Sequence, residues 1–160
     1  MALTRVAING FGRIGRSAFK IAWERSDTEI VAINDLTDTK TLAYLLKHDS
    51  NYGTYGHEVG YDDESLLIDG TKVRVLAEKD PTVLPWRDMD IDVVIESTGF
   101  FTDEEGASKH IQAGAKRVVI SGPTKSEGVD TIVLGANDDV IASATQVVSN
   151  ASCTTNSLGA

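Results

Sequence analysis

Cys153 is the single cysteine of this 160-residue chain and lies in the run Ser149-Asn150-Ala151-Ser152-Cys153-Thr154-Thr155-Asn156. It follows a β-branched stretch and precedes residues that suit the start of a helix. A thiol at a helix N-terminus feels the positive end of the helix dipole, which favours the nucleophilic thiolate. The same spacing also fits a buried structural cysteine with Ser152, Thr154 and Thr155 as caps. Local spacing leaves both readings open.

A second constellation lies near the other end, where Gly10-Phe11-Gly12-Arg13-Ile14-Gly15 follows a strand-like run and opens a helix-like one. In that context three glycines make a dinucleotide fingerprint: the first permits a tight turn, the second lets backbone approach a pyrophosphate, and the third allows close helix–strand packing. The helix N-terminus offers free N–H groups to phosphate, and Arg13 could add a charge-assisted contact. Asp35 stands 20 positions after Gly15, at the end of the next strand-like run. There a carboxylate can accept from both adenosine-ribose hydroxyls and would repel a 2′-phosphate, and Leu36-Thr37-Asp38-Thr39 supplies no arginine, so NAD is favoured over NADP. The alternative makes the glycines turn formers and Asp35 a solvated strand end or helix cap.

The elements that must position these groups recur along the chain. Arg5–Ile8, Glu29–Ile33, Ile91–Ile95, Arg117–Ile120, Thr131–Leu134 and Gln146–Ser149 are short apolar, β-branched runs of the kind buried on both faces of a parallel sheet. Ile14, Ala18, Ile21, Ala22 and Arg25 fall at helical spacing and predict an apolar stripe ending in a solvated charge. Leu42, Leu45 and Leu46 predict one side of a helix near Asp38–Lys47, with Asp38 or Thr39 as cap. Thr102-Asp103-Glu104-Glu105 is a capping-box pattern, and Gly114 suits the stop of that helix. Leu66–Val75 predicts two short strands around an Asp69-Gly70 turn. The fold class that follows is α/β: a Rossmann-type, doubly wound, mostly parallel sheet with an inserted hairpin.

Length allows one domain, which at this size buries roughly 70% of its unfolded surface, and leaves no room for a second full one. The composition, 41% hydrophobic and 24% charged, is that of an ordinary soluble protein. No apolar run approaches the roughly 18 residues of a membrane span, and the N-terminus carries no signal-peptide pattern, so a cytoplasmic location is expected. Fifteen basic against 24 acidic residues give a net charge of −9, which disfavours nucleic acid and anionic membranes as partners. His48, His57 and His110 are too scattered for a zinc motif, so no metal is expected. His48 and His110 match no catalytic motif and are expected to be surface or packing residues.

Taken together, Ala7–Arg16, Ile33–Leu36, Glu78–Pro81, Glu96–Gly99 and Ser149–Asn156 resemble phosphorylating glyceraldehyde-3-phosphate dehydrogenase, a glycolytic NAD oxidoreductase. The resemblance runs from the first strand to the last residues, with residues 1–150 as dinucleotide-binding domain and 151–160 as the start of the catalytic domain. It implies that Phe11, Gly12, Arg13 and Ile14 lie against the pyrophosphate, Asn9 and Asp35 near the adenosine, and Glu78 and Lys79 beside the adenine. Thr98, Gly99 and Phe101 would line the adenine and ribose side, and Ser121 would face the nicotinamide half. Cys153 would attack the aldehyde to give a thiohemiacetal, which loses hydride to NAD and becomes a thioester that phosphate cleaves to an acyl phosphate. Ser152 and Thr154 would help hold inorganic phosphate.

The family's histidine base and substrate-phosphate arginine follow the cysteine by more residues than this sequence contains. The expectation is therefore a chain that binds NAD and turns over poorly alone, from an enzyme that is a homotetramer at full length. Loss of the second domain is expected to expose apolar surface around Val147, Val148 and Leu158. Ser157, Gly159 and Gly122 depart from the commonest family pattern and leave the subfamily open. Two rival readings are erythrose-4-phosphate dehydrogenase, from which Asn34-Asp35-Leu36 and Glu96–Phe101 differ in pattern, and a stand-alone NAD-binding module.

Overall fold

The β-branched runs become strands of one sheet, and what separates them decides which face each helix covers. The computed structural model describes residues 2–159. Met1, in the expected leaderless start, and Ala160, the end of the expected 151–160 segment, lie outside the described residues. In chain order the elements are β1 (Thr4–Asn9), α1 (Arg13–Trp23), β2 (Thr28–Asn34), α2 (Thr39–Lys47), β3 (His48–Asp49), β4 (Gly53–Thr54), β5 (Val59–Tyr61), β6 (Ser65–Ile68) and β7 (Thr71–Leu76). They continue with β8 (Val93–Glu96), α3 (Glu104–Gln112), β9 (Arg117–Ile120), β10 (Asp130–Thr131), β11 (Val147–Ser149) and α4 (Cys153–Gly159). Among the described residues no helix is long and apolar enough to cross a membrane.

The main sheet has the order β10-β11-β9-β8-β1-β2-β7-β6-β5, and every pair from β10 to β7 is parallel. Only the β7–β6 and β6–β5 pairs of this sheet are antiparallel. The fold is thus the expected α/β, doubly wound, mostly parallel arrangement with an inserted hairpin, and β3 and β4 form a separate small ladder. Successive strand residues point to opposite faces. Val6 and Ile8 join one core cluster with Phe19, Leu42 and Leu46 from α1 and α2, while Ala7 joins the other with Trp86 and Ala107. The hairpin turns at Asp69 (φ 49°) and Gly70 (φ 80°), both left-handed, as a two-residue type I′ turn requires.

Five local expectations are corrected. The buried face of α1 is Gly15 and Phe19, whereas Ile14 and Ile21 are 56% and 69% exposed; the helix is rolled so that Gly15 packs on the strand–helix turn. Helix α2 buries Leu42, Ala43 and Leu46, with Leu45 only half-buried, and Asp38 caps it by accepting from the Thr41 N–H. The cap of α3 is Asp103 rather than Thr102, accepting from the Gly106 N–H at 2.7 Å, and Gly114 follows the helix in a left-handed conformation. The run Thr131–Leu134 is strand only at Asp130–Thr131: the Asn137 side chain accepts from the Val133 N–H, and Gly135 (φ 87°) turns the chain away. Val147, expected near exposed apolar surface, is 5% exposed and belongs to the core, while Leu158 is 80% exposed.

His57 joins three elements at the edge of the sheet. Its Nε2 meets Glu24, the C-cap of α1, and its Nδ1 meets Asp69 in the hairpin turn. Both partners are carboxylates, so both ring nitrogens must carry protons, and hydrogen bonds to Asp69 first and Glu24 second raise the pKa of His57 above its ordinary value. Lys47, which donates to the Tyr55 and His57 carbonyls, and the Tyr55 ring complete its surroundings. A raised folded-state pKa contributes stability that is full below the unfolded value of about 6.5 and is lost as pH rises through the folded value. His57→Gln is expected to lower the unfolding temperature most near about pH 6, with the two proteins converging at alkaline pH; a pH-independent difference in calorimetry would show that the protonated clamp does not exist.

Candidate functional site

The strand order reverses between β1 and β8: β2 and β7 build outward on one side, and β9, β11 and β10 on the other. At such a switch point the loops beyond the carboxyl ends part and leave a crevice. The crevice here measures about 590 Å³ and is lined by Asn9, Gly10, Gly12, Asn34, Asp35, Leu36, Glu78, Lys79, Ser97, Thr98, Phe100 and Phe101. That volume is within the usual range for a small-molecule site.

The three glycines do different work. Gly10 has φ 88°, and a Cβ there would lie 2.7 Å from the Thr98 nitrogen. A Cβ on Gly15 would lie 2.1 Å from the Gly10 carbonyl oxygen, so the third glycine lets α1 pack directly on the turn. A Cβ on Gly12 would meet nothing within 4 Å; its space opens at the cleft, where Gly12 is the N-cap of α1 and no side chain caps the helix. An uncapped first turn facing open space suits an anionic group.

Asp35 closes the loop from the other strand. Its Oδ2 accepts from the Phe11 N–H at 2.7 Å and its Oδ1 from the Thr37 N–H at 2.9 Å. Each oxygen keeps a further lone pair for a ligand hydroxyl. Across the cleft, Ser97 Oγ donates to the Gly10 carbonyl at 2.7 Å, and Thr98 is tied to Glu96 through its N–H and hydroxyl.

Of the residues expected to bind cofactor, the cleft gathers Asn9, Gly10, Gly12, Asp35, Glu78, Lys79, Thr98 and Phe101. Asn9 lies beneath it: its side chain is 1% exposed and bonded to Glu96 and Asn34. The Phe11 ring is buried edge-on against Phe19, so only its backbone faces the loop. Arg13 turns to the opposite side, donating to Ser50 Oγ and approaching Asp49 at 3.8 Å. Ile14 is on the solvent face of α1, and Gly99 and Ser121 are outside the cleft lining. Asn34, Leu36, Ser97 and Phe100 complete the lining without having been assigned there; they lay within or next to the motifs that carry the resemblance and beside Asp35, Thr98 and Phe101.

Cys153 sits at the same edge of the sheet, beyond β11. Asn150 donates its N–H to the Ile120 carbonyl and Ser149 Oγ donates to the Gly122 carbonyl, which ties this turn to the loop at Ser121. Ala151 is buried with φ 58°, a strained conformation for a residue with a Cβ. Ser152 caps α4 by accepting from the Thr155 N–H at 2.9 Å and shares a hydrogen bond with Thr155 Oγ1. Cys153 and Thr154 are exposed. In this chain the Cys153 thiol is thus not buried but open to solvent.

The sheet, its switch-point cleft and its glycine turn define a dinucleotide-binding domain of the Rossmann class. Residues 4–104 match the family described as glyceraldehyde 3-phosphate dehydrogenase, NAD binding domain, and the chain belongs to that family, whose cofactor is NAD. It is similar to the glyceraldehyde-3-phosphate dehydrogenases of Thermotoga maritima (53% identity over 158 residues, 98% of this chain and 47% of the relative) and Borreliella burgdorferi (55% over 159 residues, 96% and 47%). A similar relative is glyceraldehyde-3-phosphate dehydrogenase 1 of Candida glabrata, at 52% over 157 residues, 98% of this chain and 47% of the relative. The chain spans about half the length of the curated relatives it matches.

The glycine geometry separates folding from binding. Gly12→Ala is expected to lower the unfolding temperature less than Gly15→Ala, by no more than the poorer N-cap costs, and to weaken NAD about tenfold or more, because its Cβ enters only the open space. Gly15→Ala is expected to destabilise by about 1–3 kcal/mol, the usual cost of overpacking. Calorimetry and NAD titration of both variants check this; a Gly12→Ala protein that binds NAD like the parent would remove Gly12 from the site.

Proposed function

We propose that this chain is the cofactor half of an NAD-dependent, phosphorylating glyceraldehyde-3-phosphate dehydrogenase, with residues 1–150 holding NAD and residues 151–160 beginning the catalytic part. The observation that carries the reading is the switch-point cleft with Asp35 and an uncapped α1 at its floor, in a chain of that family whose exposed Cys153 lies beyond the same sheet edge.

In this reading the uncapped first turn of α1 at Gly12 takes the pyrophosphate, Asp35 orients the adenosine ribose, and Glu78, Lys79, Thr98 and Phe101 enclose the adenine side. Arg13, Ile14, Gly99 and Ser121 act on the rim, Arg13 after leaving Ser50. Bound NAD supplies the hydride acceptor. The Cys153 thiolate attacks the aldehyde carbon, and its sulfur keeps the acyl group as a thioester once hydride has left that carbon. Inorganic phosphate held with Ser152 and Thr154 then attacks the thioester, releasing an acyl phosphate and regenerating the thiolate. The portion of the relatives that this chain does not span would supply the base and the site for the substrate phosphate, and a cytoplasmic homotetramer would be the working form.

Titration is expected to show NAD binding at least about tenfold tighter than NADP, since Asp35 would face the 2′-phosphate. Cys153→Ser is expected to leave NAD affinity intact and, in the full-length enzyme, to abolish acyl-enzyme formation in a single-turnover assay with glyceraldehyde 3-phosphate. Tighter NADP binding, or acylation that survives Cys153→Ser, would defeat the proposal. A strong preference for erythrose 4-phosphate would move the chain to the sister activity.

A further inference from the structure

We infer that His110 and Glu96 are positioning residues for the cofactor cleft: a buried hydrogen-bonded line from Trp86 through His110 and Glu96 to Asn9 and Asn34 holds the two cleft walls in register. The inference rests on the reading of this cleft as the NAD site. None of these side chains but Asn9 was expected to matter for the cofactor, and neither His110 nor Glu96 lines the cleft.

Glu96, at the carboxyl end of β8, is 1% exposed, and no lysine or arginine pairs with it among the described residues. Four donors meet its carboxylate instead. Oε2 accepts from Asn9 Nδ2 at 2.6 Å and His110 Nε2 at 3.1 Å, and Oε1 accepts from the N–H and hydroxyl of Thr98. A buried carboxylate left short of donors is costly, so each of these groups is held where Glu96 needs it.

The proton positions follow from the far end of the line. Trp86 Nε1 can only donate, and it lies 2.9 Å from His110 Nδ1. Nδ1 is therefore an acceptor, the imidazole is neutral, and its one N–H is at Nε2, aimed at Glu96. Asn9 Nδ2 is 3.3 Å from the same Nε2, but both carry protons, so they converge on Oε2 and do not bond to each other. Asn9 Oδ1 then accepts from Asn34 Nδ2 at 2.7 Å, and Asn34 in turn bonds both the N–H and the carbonyl of Glu78.

Each donor assignment thus dictates the next, from a tryptophan in the opposite core to the backbone of the Glu78 wall. On the other wall, Thr98 Oγ1, having donated to Glu96, accepts from the Phe100 N–H at 3.1 Å. Buried networks of this kind are rigid when every member is satisfied and fail together when one is not. The prepared walls are those facing the adenosine half of the ligand.

The test compares His110→Leu with His110→Gln in the 160-residue chain, at a temperature where circular dichroism shows both folded. Both variants disturb Trp86, but only glutamine keeps an N–H for Glu96. His110→Leu is expected to weaken NAD and ADP-ribose by the same factor of about ten or more, with His110→Gln restoring most of both affinities. Nitrogen-15 NMR of the unliganded parent is expected to show one neutral His110 tautomer protonated at Nε2, and Trp86→Phe to release it into a mixture. Equal ADP-ribose affinity in the two His110 variants, or a parent His110 protonated at Nδ1, would overturn the inference. Failure of the parent to bind NAD or ADP-ribose would instead overturn the reading of the cleft on which it rests.

Discussion

Backbone touches backbone where β1 meets β8, and most of the site follows from that approach. Gly10 turns the chain in a left-handed conformation directly against the Ser97–Thr98 backbone, and Ser97 Oγ fastens the contact by donating to the Gly10 carbonyl. A side chain at Gly10 would force the two strands apart and lose the turn. With the turn in place, the Gly10 carbonyl becomes the surface on which Gly15 packs, which sets the roll of α1 and leaves its first N–H groups facing the cleft. The crevice is thus a consequence of parallel strands diverging in two directions from a contact too tight for any residue but glycine.

Charge is arranged around this frame by hydrogen bonds within the chain. Asp35 holds the Phe11 N–H and the Thr37 N–H, so its carboxylate is fixed in one orientation at the cleft. Preorganisation of this kind reduces the ordering cost of binding. Arg13 is engaged elsewhere, with Ser50 and Asp49, so the cleft floor presents mainly backbone dipoles. In the proposed reading a chain of net charge −9 can still take an anionic dinucleotide, because the helix terminus acts at short range, where distant surface carboxylates are screened.

Features decided by local covalent geometry could be read directly from the residues. The glycine loop, Asp35 at its distance, the Asp69-Gly70 turn and the parallel strand runs each depend on a few neighbouring side chains. The roll of α1 could not, because two isoleucines outweigh one glycine in any hydrophobic pattern while packing on Gly10 favours the glycine. Thr102 and Asp103 are both good caps, and only the folded loop distinguishes them. Tertiary proximity escaped altogether: Trp86, Glu96 and His110 come from three separate segments and carry no shared spacing, yet they meet under the cleft. Leu36 and Phe100 stood within motifs already marked, but without a role of their own.

In the proposed reading Asp35, Gly12 and Thr98 enclose one ligand at the switch point. A crystal structure of the chain with NAD measures this most directly. The expected result is both adenosine-ribose hydroxyls within about 3.2 Å of the Asp35 carboxylate, the pyrophosphate over Gly12, and the adenine enclosed by Glu78, Lys79, Thr98 and Phe101. NAD bound outside this cleft, or seated there with its ribose turned away from Asp35, would contradict it.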